Sequence, residues 1–425
     1  MLTIWMGWTP MVYISDYNLV KTAFTAKDNA LMGRVRSGFA LAQIGKHQDI
    51  LQTDYGSVWA SLRRVSHSAV RKVAVSEKLH ELVADVVDSS AQTMKRTHPL
   101  GAPFDPKCYL YHSVMAILAS TAFGKRYQLD DKELAFYGES LEFMQSRTSL
   151  LAAIDRIPLL RLIPKYGNYE RKVFETARDV TNSCKQQYMA HRKTHSSGVV
   201  NDFCDALIEA KEKAIESDGR DGKDSRDGGD NAEAFNDDNL SLVIKNLFAA
   251  GTDTTQYTLQ WIVLLMANNT EMQIQMRDEI ESVIGDRVAT SDDKNSCHFV
   301  NAFIAETMRY RGVAPIAVTH RAMTDTTIDK YCIEKNTLII SNLWAIHMDP
   351  NVWPNPDVFD PKRFVTRDGS FRAKMPGFAP FGIGRRVCLG EKLALADLFL
   401  ITVRLLQSTN ECVFALPAGD GSALE

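Results

Sequence analysis

A mainly α-helical protein with a small β component is what this sequence predicts, and three observations carry that expectation. From Gly56 onward, apolar residues recur at helical spacing in segment after segment. One run, LSLVIKNLFAAGTDTTQYTLQWIVLLMANN, has the length and hydrophobicity of a helix passing through the middle of a large domain. Strand-like sequence is confined to the first residues and a patch around 324 to 342. Composition agrees in broad terms only: 425 residues, 45% hydrophobic and 24% charged, with a net charge of -3, are ordinary for a globular chain and do not choose between one domain and several. The near-neutral balance gives no support to a basic nucleic-acid binder. The seven cysteines, at 108, 184, 204, 297, 332, 388 and 412, are scattered and include no C-x-x-C pair, which speaks against a disulfide scaffold or a redox dithiol.

In chain order, MLTIWMGWTPMVYISDY reads as two short strands joined by a Gly-Trp-Thr-Pro turn. It is broken by Gly7 and Pro10 and lacks a basic n-region, so it is not a signal peptide, and no stretch approaches bilayer-spanning length. Asp16 is placed to cap a helix through Leu19, Val20 and Phe24. Residues 30 to 55 carry few periodic signals and are expected as a mobile loop over a site. VWASLRRVSHSAVRKVAV then predicts a strongly basic helix, followed by helices at about 78 to 96, 107 to 123 and 131 to 148. A two-proline apolar loop near 155 to 165 turns into a long amphipathic helix. Residues 217 to 238, SDGRDGKDSRDGGDNAEAFNDD, are too poor in apolar side chains to order themselves and predict a flexible linker within the domain. After the long apolar helix come two more helices, the strand patch, a proline-punctuated loop over 349 to 386 and a last helix over about 389 to 407.

Four features can carry chemistry. In PFGIGRRVCLGEKLALADLFLI, Cys388 lies in a glycine-punctuated loop that opens a helix, next to Arg385 and Arg386. Helix N-terminal N–H groups and neighbouring cations favour a thiolate, which suits a soft metal or haem iron, although most single cysteines are buried structural residues. In the long apolar helix, the run Ala250 to Thr255 places glycine, hydroxyls and a carboxylate where a structural helix would have none. There Gly251 and the threonines can open the backbone ladder, and Asp253 and Thr254 can relay protons. The plainer reading is threonine back-bonding with Asp253 in a salt bridge. Glu306 and Arg309 are three apart on one helix, a spacing usual for solvated surface pairs. Trp59 lies one helical turn from Arg63, a side chain suited to bidentate binding of a carboxylate.

In this order and spacing the four features resemble the cytochrome P450 family along essentially the whole chain. The cysteine-loop signature F-x-x-G-x-R-x-C-x-G is met by Phe381, Gly384, Arg386, Cys388 and Gly390. The motif [AG]-G-x-[DE]-T-[TS] is met by Ala250 through Thr255, E-x-x-R by Glu306 and Arg309, and W-x-x-x-R by Trp59 and Arg63. HMDPNVWPNPDVFDPKRF looks like the P-E-R-F region with Lys362 in place of its glutamate, leaving Arg363 to join Glu306 and Arg309. The run from Val313 to Pro350 is similar to animal microsomal members, nearest to steroid 17-alpha-hydroxylase and its xenobiotic-oxidising relatives, with Thr319 where those usually carry proline.

The resemblance implies one mainly helical domain over 1–425, with a small sheet and haem b between the central helix and the cysteine loop. Cys388 is implied as the axial thiolate on iron. Asp253 and Thr254 are implied to deliver protons during dioxygen activation. Trp59, Arg63, His320 and Arg386 would hold the haem propionates, with Phe381 in the cofactor loop, and Glu306, Arg309 and Arg363 would form a buried supporting network. The substrate pocket would draw on Ala249, Ala250, Val313, Ala314 and Ile316 together with the loops at 30 to 50 and 155 to 165, mostly apolar and so fit for a lipophilic, steroid-like or xenobiotic substrate. The implied activity is a monooxygenase that inserts one oxygen atom of O2, with electrons from NADPH-cytochrome P450 reductase. That donor would dock on a basic face drawn from Arg63, Arg64, Arg71, Lys72, Arg385 and Lys392. Endoplasmic-reticulum membrane association is expected of the full-length family member. Measured against that pattern, the chain starts after the anchor, hinge and first helix and stops before the last strand pair, which predicts a truncated product. Two other readings are a haem-thiolate isomerase or dehydratase, which would not need the proton relay, and a non-catalytic haem-binding remnant.

Overall fold

The computed structural model describes residues 1–26, 28–128, 131–220 and 233–417. Strands β1 (Leu2–Met6) and β2 (Thr9–Ile14) pair antiparallel around a turn in which Gly7 adopts φ +63°, a left-handed conformation that glycine takes without a Cβ penalty. With β3 (Gly33–Arg34), β4 (His320–Arg321) and β7 (Leu338–Ser341) they form a five-stranded sheet in the order β1-β2-β7-β4-β3. The β2–β7 pair is parallel and the other pairs antiparallel. Strands β5 (Thr326–Ile328) and β6 (Tyr331–Ile333) form a separate hairpin. The patch at 324 to 342 is thus split between two sheets, because the turns at Asp329 and Asn336 redirect the chain. Val12, Ile14 and Ile339 bury the inner face of the larger sheet against Val20 and Phe24 of helix Tyr17–Thr25, whose first turn is held by Asp16 Oδ1 accepting from the Leu19 N–H at 2.8 Å.

The rest is mainly helical. The helices expected at 78 to 96, 107 to 123 and 131 to 148 are found at Glu77–Thr97, Lys107–Phe123 and Lys132–Gln145. Ser76 and Asp131 supply side-chain caps that the periodicity alone did not locate. Two expectations need correction. Residues 30 to 55 are not simply a loop: they contain β3 and helix Gly38–Ile44, capped by Ser37. Helix Phe203–Arg220 was not expected, because its apolar residues crowd its first turns, and it takes in the first four residues of the linker expected at 217 to 238. Residues 237 and 238 begin the next helix, and 221 to 232 lie outside the described residues.

That next helix, Asp237–Asn268, is capped by Asn236 and is the centre of the molecule. It packs against helices Lys107–Phe123, Pro164–Thr194 and Glu391–Ser408, and shares one core with them through residues such as Ile244, Phe248, Leu259 and Phe399. Lys245 is carried into this core at 2% exposure, where burial lowers its pKa to about 8 and its ammonium donates to Gln43 O and Thr181 Oγ1.

Glu306 and Arg309, on helix His298–Tyr310, are not the surface pair their spacing suggests: both side chains are fully buried. Arg309 Nε and Nη2 donate bidentately to the carboxylate at 2.7 and 2.6 Å, while Nη1 donates to His347 O and Pro356 O at 2.9 and 2.8 Å. Arg363 comes to 3.4 Å of the same carboxylate and donates to Pro354 O and Asn355 O. The Asp360 N–H donates to Glu306 at 2.9 Å. One ion network thereby pins the proline-punctuated loop onto the helical core.

Candidate functional site

The cysteine loop is shaped by close approach. Gly384 has φ +88°, and a Cβ there would lie 2.2 Å from Phe24 O, so only glycine lets the loop lie against helix Tyr17–Thr25. The Cys388 N–H donates to Phe381 O at 2.9 Å, turning the chain just before helix Glu391–Ser408 starts at its Gly390 cap. The Cys388 side chain is exposed beside the loop. Enough protein surrounds it that desolvation still raises its pKa, outweighing the Gly390 and Glu391 backbone amides and Arg63, which all favour the thiolate. Desolvation in the polypeptide therefore opposes the thiolate that the helix terminus and the arginine favour. A thiolate at this place calls for a further cation, as a metal ligand would have.

A cationic cluster borders the loop. Arg386 donates through Nη2 to Met32 O at 2.8 Å and Thr53 O at 2.7 Å, while its buried Nε and Nη1 have no hydrogen-bond partner. Its guanidinium lies 4.2 Å from the centre of the Trp59 ring, and burial together with Arg34 pushes its pKa down to about 9. Arg34, 4% exposed, donates to Leu51 O, Val318 O and Thr319 O, and burial lowers its pKa to about 10. Arg63 is lowered by burial as well and donates to Val387 O in the cysteine loop. Trp59 Nε1 donates to Ile50 O at 3.0 Å. His320 is buried between these groups, its pKa held well below the usual range by burial and then by Arg34, with Nδ1 bonded to Leu31 O at 2.8 Å. The nearby carboxylates are already engaged: Asp49 holds the turn to Thr53 and Asn246, and Asp54 pairs with Arg36 and Arg321. Among the described residues none of Arg34, Arg63 and Arg386 forms an ion pair.

A pair of buried carboxylates would neutralise this cluster, and the unpartnered Arg386 N–H groups offer donors for them. Haem, which carries two propionates and takes a soft axial donor, fits residues of this kind. Arg34 is the member that sequence reasoning missed. It lies in no spaced motif, and only the pairing of β3 with β4 sets it beside His320.

On the central helix, Ala250 and Thr254 are exposed although Leu240 to Phe248 and Thr252 are buried. The helix is continuous, so the ladder is not opened. Thr252, Thr254 and Thr258 instead bond back to Phe248 O, Ala250 O and Thr254 O at 2.7 to 2.8 Å. Asp253, however, makes no salt bridge among the described residues: its Oδ2 is buried without a partner, and desolvation raises its pKa to about 6. A carboxyl poised near neutral pH beside an exposed hydroxyl is able to hold and release a proton.

Of the expected substrate-side residues, Ala249 packs against the core, Val313 and Ala314 are half-buried, and Ile316 is 48% exposed. A cavity of about 780 Å³ lies elsewhere, lined by Met11, Val35, Ser37, Ala152, Asp155 and Thr319 among others. It is lined by residues 35 to 37 and by helix Thr148–Arg156, but by none of the cysteine loop or central helix; the 155 to 165 segment, expected as a loop, is the end of that helix followed by a 3-10 turn at Pro158–Leu162.

Comparison with known proteins identifies this arrangement. The cytochrome P450 family model matches residues 1–410. The chain belongs to the cytochrome P450 family. Cytochrome P450 2U1 of Rattus norvegicus is 32% identical over 98% of this chain and 76% of its own length. The steroid 17-alpha-hydroxylase/17,20 lyase of Oryzias latipes is 28% identical over 95% of this chain and 77% of its own. A zebra fish cytochrome P450 solved with progesterone superposes with a TM-score of 0.80 at 24% identity, covering 96% of this chain and 88% of the other, and shows the shared fold. As a P450 the protein is a haem-thiolate monooxygenase that uses O2 on a lipophilic substrate with a reductase as redox partner. Haem, when bound, supplies the activation of dioxygen.

Proposed function

We propose that Cys388 would supply the thiolate ligand to haem iron, that Asp253 and Thr254 move the protons, and that the substrate is a steroid-like or xenobiotic lipophile. The single observation that carries this is the join between the exposed Cys388 thiol and the unneutralised guanidiniums: Arg63 bonds the loop carbonyl next to the thiol and belongs to the cationic cluster. The cluster of Arg34, Arg63, Arg386 and His320 would bind and orient the haem carboxylates, with Trp59 stacked under Arg386 and Phe381 fixing the loop through its carbonyl. Val313, Ala314 and Ile316 would form the apolar wall opposite Ala249 and Ala250. Glu306, Arg309 and Arg363 act only by holding the loop in place.

The electron donor we assign is NADPH-cytochrome P450 reductase, docking on the exposed Arg64, Arg71, Lys72 and Lys392. Arg71, Arg63 and Lys392 all act on the His67 imidazole, which supports one shared basic face. Arg63 points into the cluster instead, and Arg385 donates to Asn29, so neither leads that face. Membrane association at the endoplasmic reticulum is supported by an exposed apolar surface: Trp5 and Trp8 on the first hairpin, 65% and 97% exposed, and Leu159 and Leu162, 72% and 78% exposed. Arg156 Nη2 lies 3.6 Å from Met6 Sδ and joins the two parts. Among the described residues no helix is long and apolar enough to cross a membrane.

The carbon monoxide difference spectrum of the dithionite-reduced protein tests the assignment. The wild-type chain is expected to show the red-shifted Soret band of thiolate ligation and Cys388→Ala to lose it. Retention of that band in the variant would assign the ligand to another cysteine.

A further inference from the structure

Far from the cysteine loop, the end of helix Pro164–Thr194 meets the start of helix Phe203–Arg220. His191 Nε2, Asp202 Oδ2 and Cys204 Sγ converge there, all within 4.8 Å of one another, with Cys204 fully buried and the Asp202 side chain 3% exposed. We propose that these three atoms form a second metal site, for a divalent cation of the zinc class, with the neighbouring His195 as a fourth ligand that its side chain must turn to supply.

Four observations support the assignment. The donor set of imidazole, carboxylate and thiol is one that zinc takes, and tetrahedral ligands about 2.0–2.3 Å from the ion lie roughly 3.3–3.8 Å apart, so side-chain torsions suffice to close the triad. His191 is already oriented: its Nδ1 bonds the Gln187 carbonyl at 2.9 Å, the outer partner that metal-ligating histidines commonly have, which leaves Nε2 to face Asp202 at 2.9 Å. Asp202 is fixed from two sides. Its Oδ1 accepts from the Asp205 N–H at 2.9 Å, and Oδ2 lies where a Cβ on Gly124 would be 2.2 Å away. Finally, His195 stands one helical turn after His191 with its side chain only 6% exposed, and neither ring nitrogen has a hydrogen-bond partner. Its nearest carboxylates, on Asp205 and Glu212, lie at 3.6 and 3.8 Å. A buried imidazole with two unused nitrogens is costly unless it has a ligand to meet.

Binding would be an exchange without redox change: the cation enters, and the Cys204 thiol proton and the proton shared by His191 and Asp202 leave to solvent. The C-x-x-C criterion applied to the sequence could not find such a site, since its ligands are a helical histidine pair and an Asp-x-Cys turn brought together by helix packing.

The test uses the haem-loaded protein, so that iron already occupies the proposed Cys388 ligand. After chelator treatment and equilibrium dialysis against zinc, elemental analysis is expected to give one zinc per haem iron, and zinc-edge X-ray absorption one sulfur ligand at about 2.3 Å. Cys204→Ser is expected to lose the sulfur ligand and at least tenfold in affinity while keeping its haem spectrum. His191→Gln is the second variant should Cys204→Ser fail to fold. Cys108→Ser removes the exposed pair made with His112 at 3.8 Å and is expected to change nothing. No zinc retained by wild type, or zinc retained equally by Cys204→Ser or His191→Gln, would overturn the site and leave the His191–Asp202 contact as an ordinary ion pair. Neither result bears on the monooxygenase assignment, which the carbon monoxide spectrum tests alone.

Discussion

Two buried groups of arginines lie in this molecule, and they are built in opposite ways. Around Glu306, every charge has a partner: Arg309 is bidentate and its other N–H groups meet backbone carbonyls, while Arg363 donates to the Pro354 and Asn355 carbonyls and sets its Nε, without a hydrogen bond, 3.4 Å from the carboxylate. Around Arg386, three guanidiniums and a neutral histidine press on one another, two N–H groups go unused, and the local carboxylates are committed elsewhere. A closed network contributes architecture; an open one stores a need for an anionic ligand. The comparison separates structural from binding residues without reference to any motif.

It can be broken at two points. Glu306→Gln leaves Arg309 and Arg363 buried beside a neutral amide, and a loss of about 3–5 kcal/mol is expected in chemical denaturation, with poor recovery of folded protein. A variant as stable as wild type would mean that the network is not structural. Arg386→Gln removes two hydrogen bonds and also relieves repulsion with Arg34, so a cost of only about 1–2 kcal/mol is expected, with haem transfer to an acceptor apoprotein about tenfold faster. If haem retention were unchanged, the open cluster would not be a carboxylate site.

Asp253→Asn should have the smallest effect on stability and the opposite sign. The Asp253 carboxyl rises from an ordinary 3.8 to about 6 in the folded protein. Between those values the folded state binds more protons than the unfolded one, so rising pH removes stability and leaves a penalty at neutral pH. The amide avoids it: stabilisation by about 1 kcal/mol is expected at pH 7 and none at pH 4, where the wild-type carboxyl is protonated. Turnover would fall all the same, by about 10²-fold or more if the side chain carries protons. Equal stabilisation at both pH values would point to packing instead of titration.

Much of this was legible in the chain. The cysteine-loop signature placed Cys388, Gly384 and Arg386, and periodicity placed the central helix and its polar interruption. What failed to show was of two kinds. The burial of Glu306 and Arg309 could not be read from their spacing, which fixes that two side chains meet and says nothing of what covers them; only the family resemblance implied the buried network that the structure has. The desolvation that opposes the Cys388 thiolate was out of sight as well, because helix terminus and arginines are visible in sequence whereas burial is a sum over the whole surrounding fold.

The sequence by itself determined which residues carry local rules: the cap at Asp16, glycine where φ must be positive, and apolar faces at helical period. The tertiary structure decided everything that depends on burial and on partners distant in the chain. It set Arg34 beside His320 through a two-residue strand, joined His191 to Asp202 and Cys204 across a helix junction, and left Asp253 without a partner in a helix otherwise closed on itself. Hydrogen-bonding pattern and backbone conformation are local quantities, but desolvation and charge are fixed by surroundings that only the folded chain assembles.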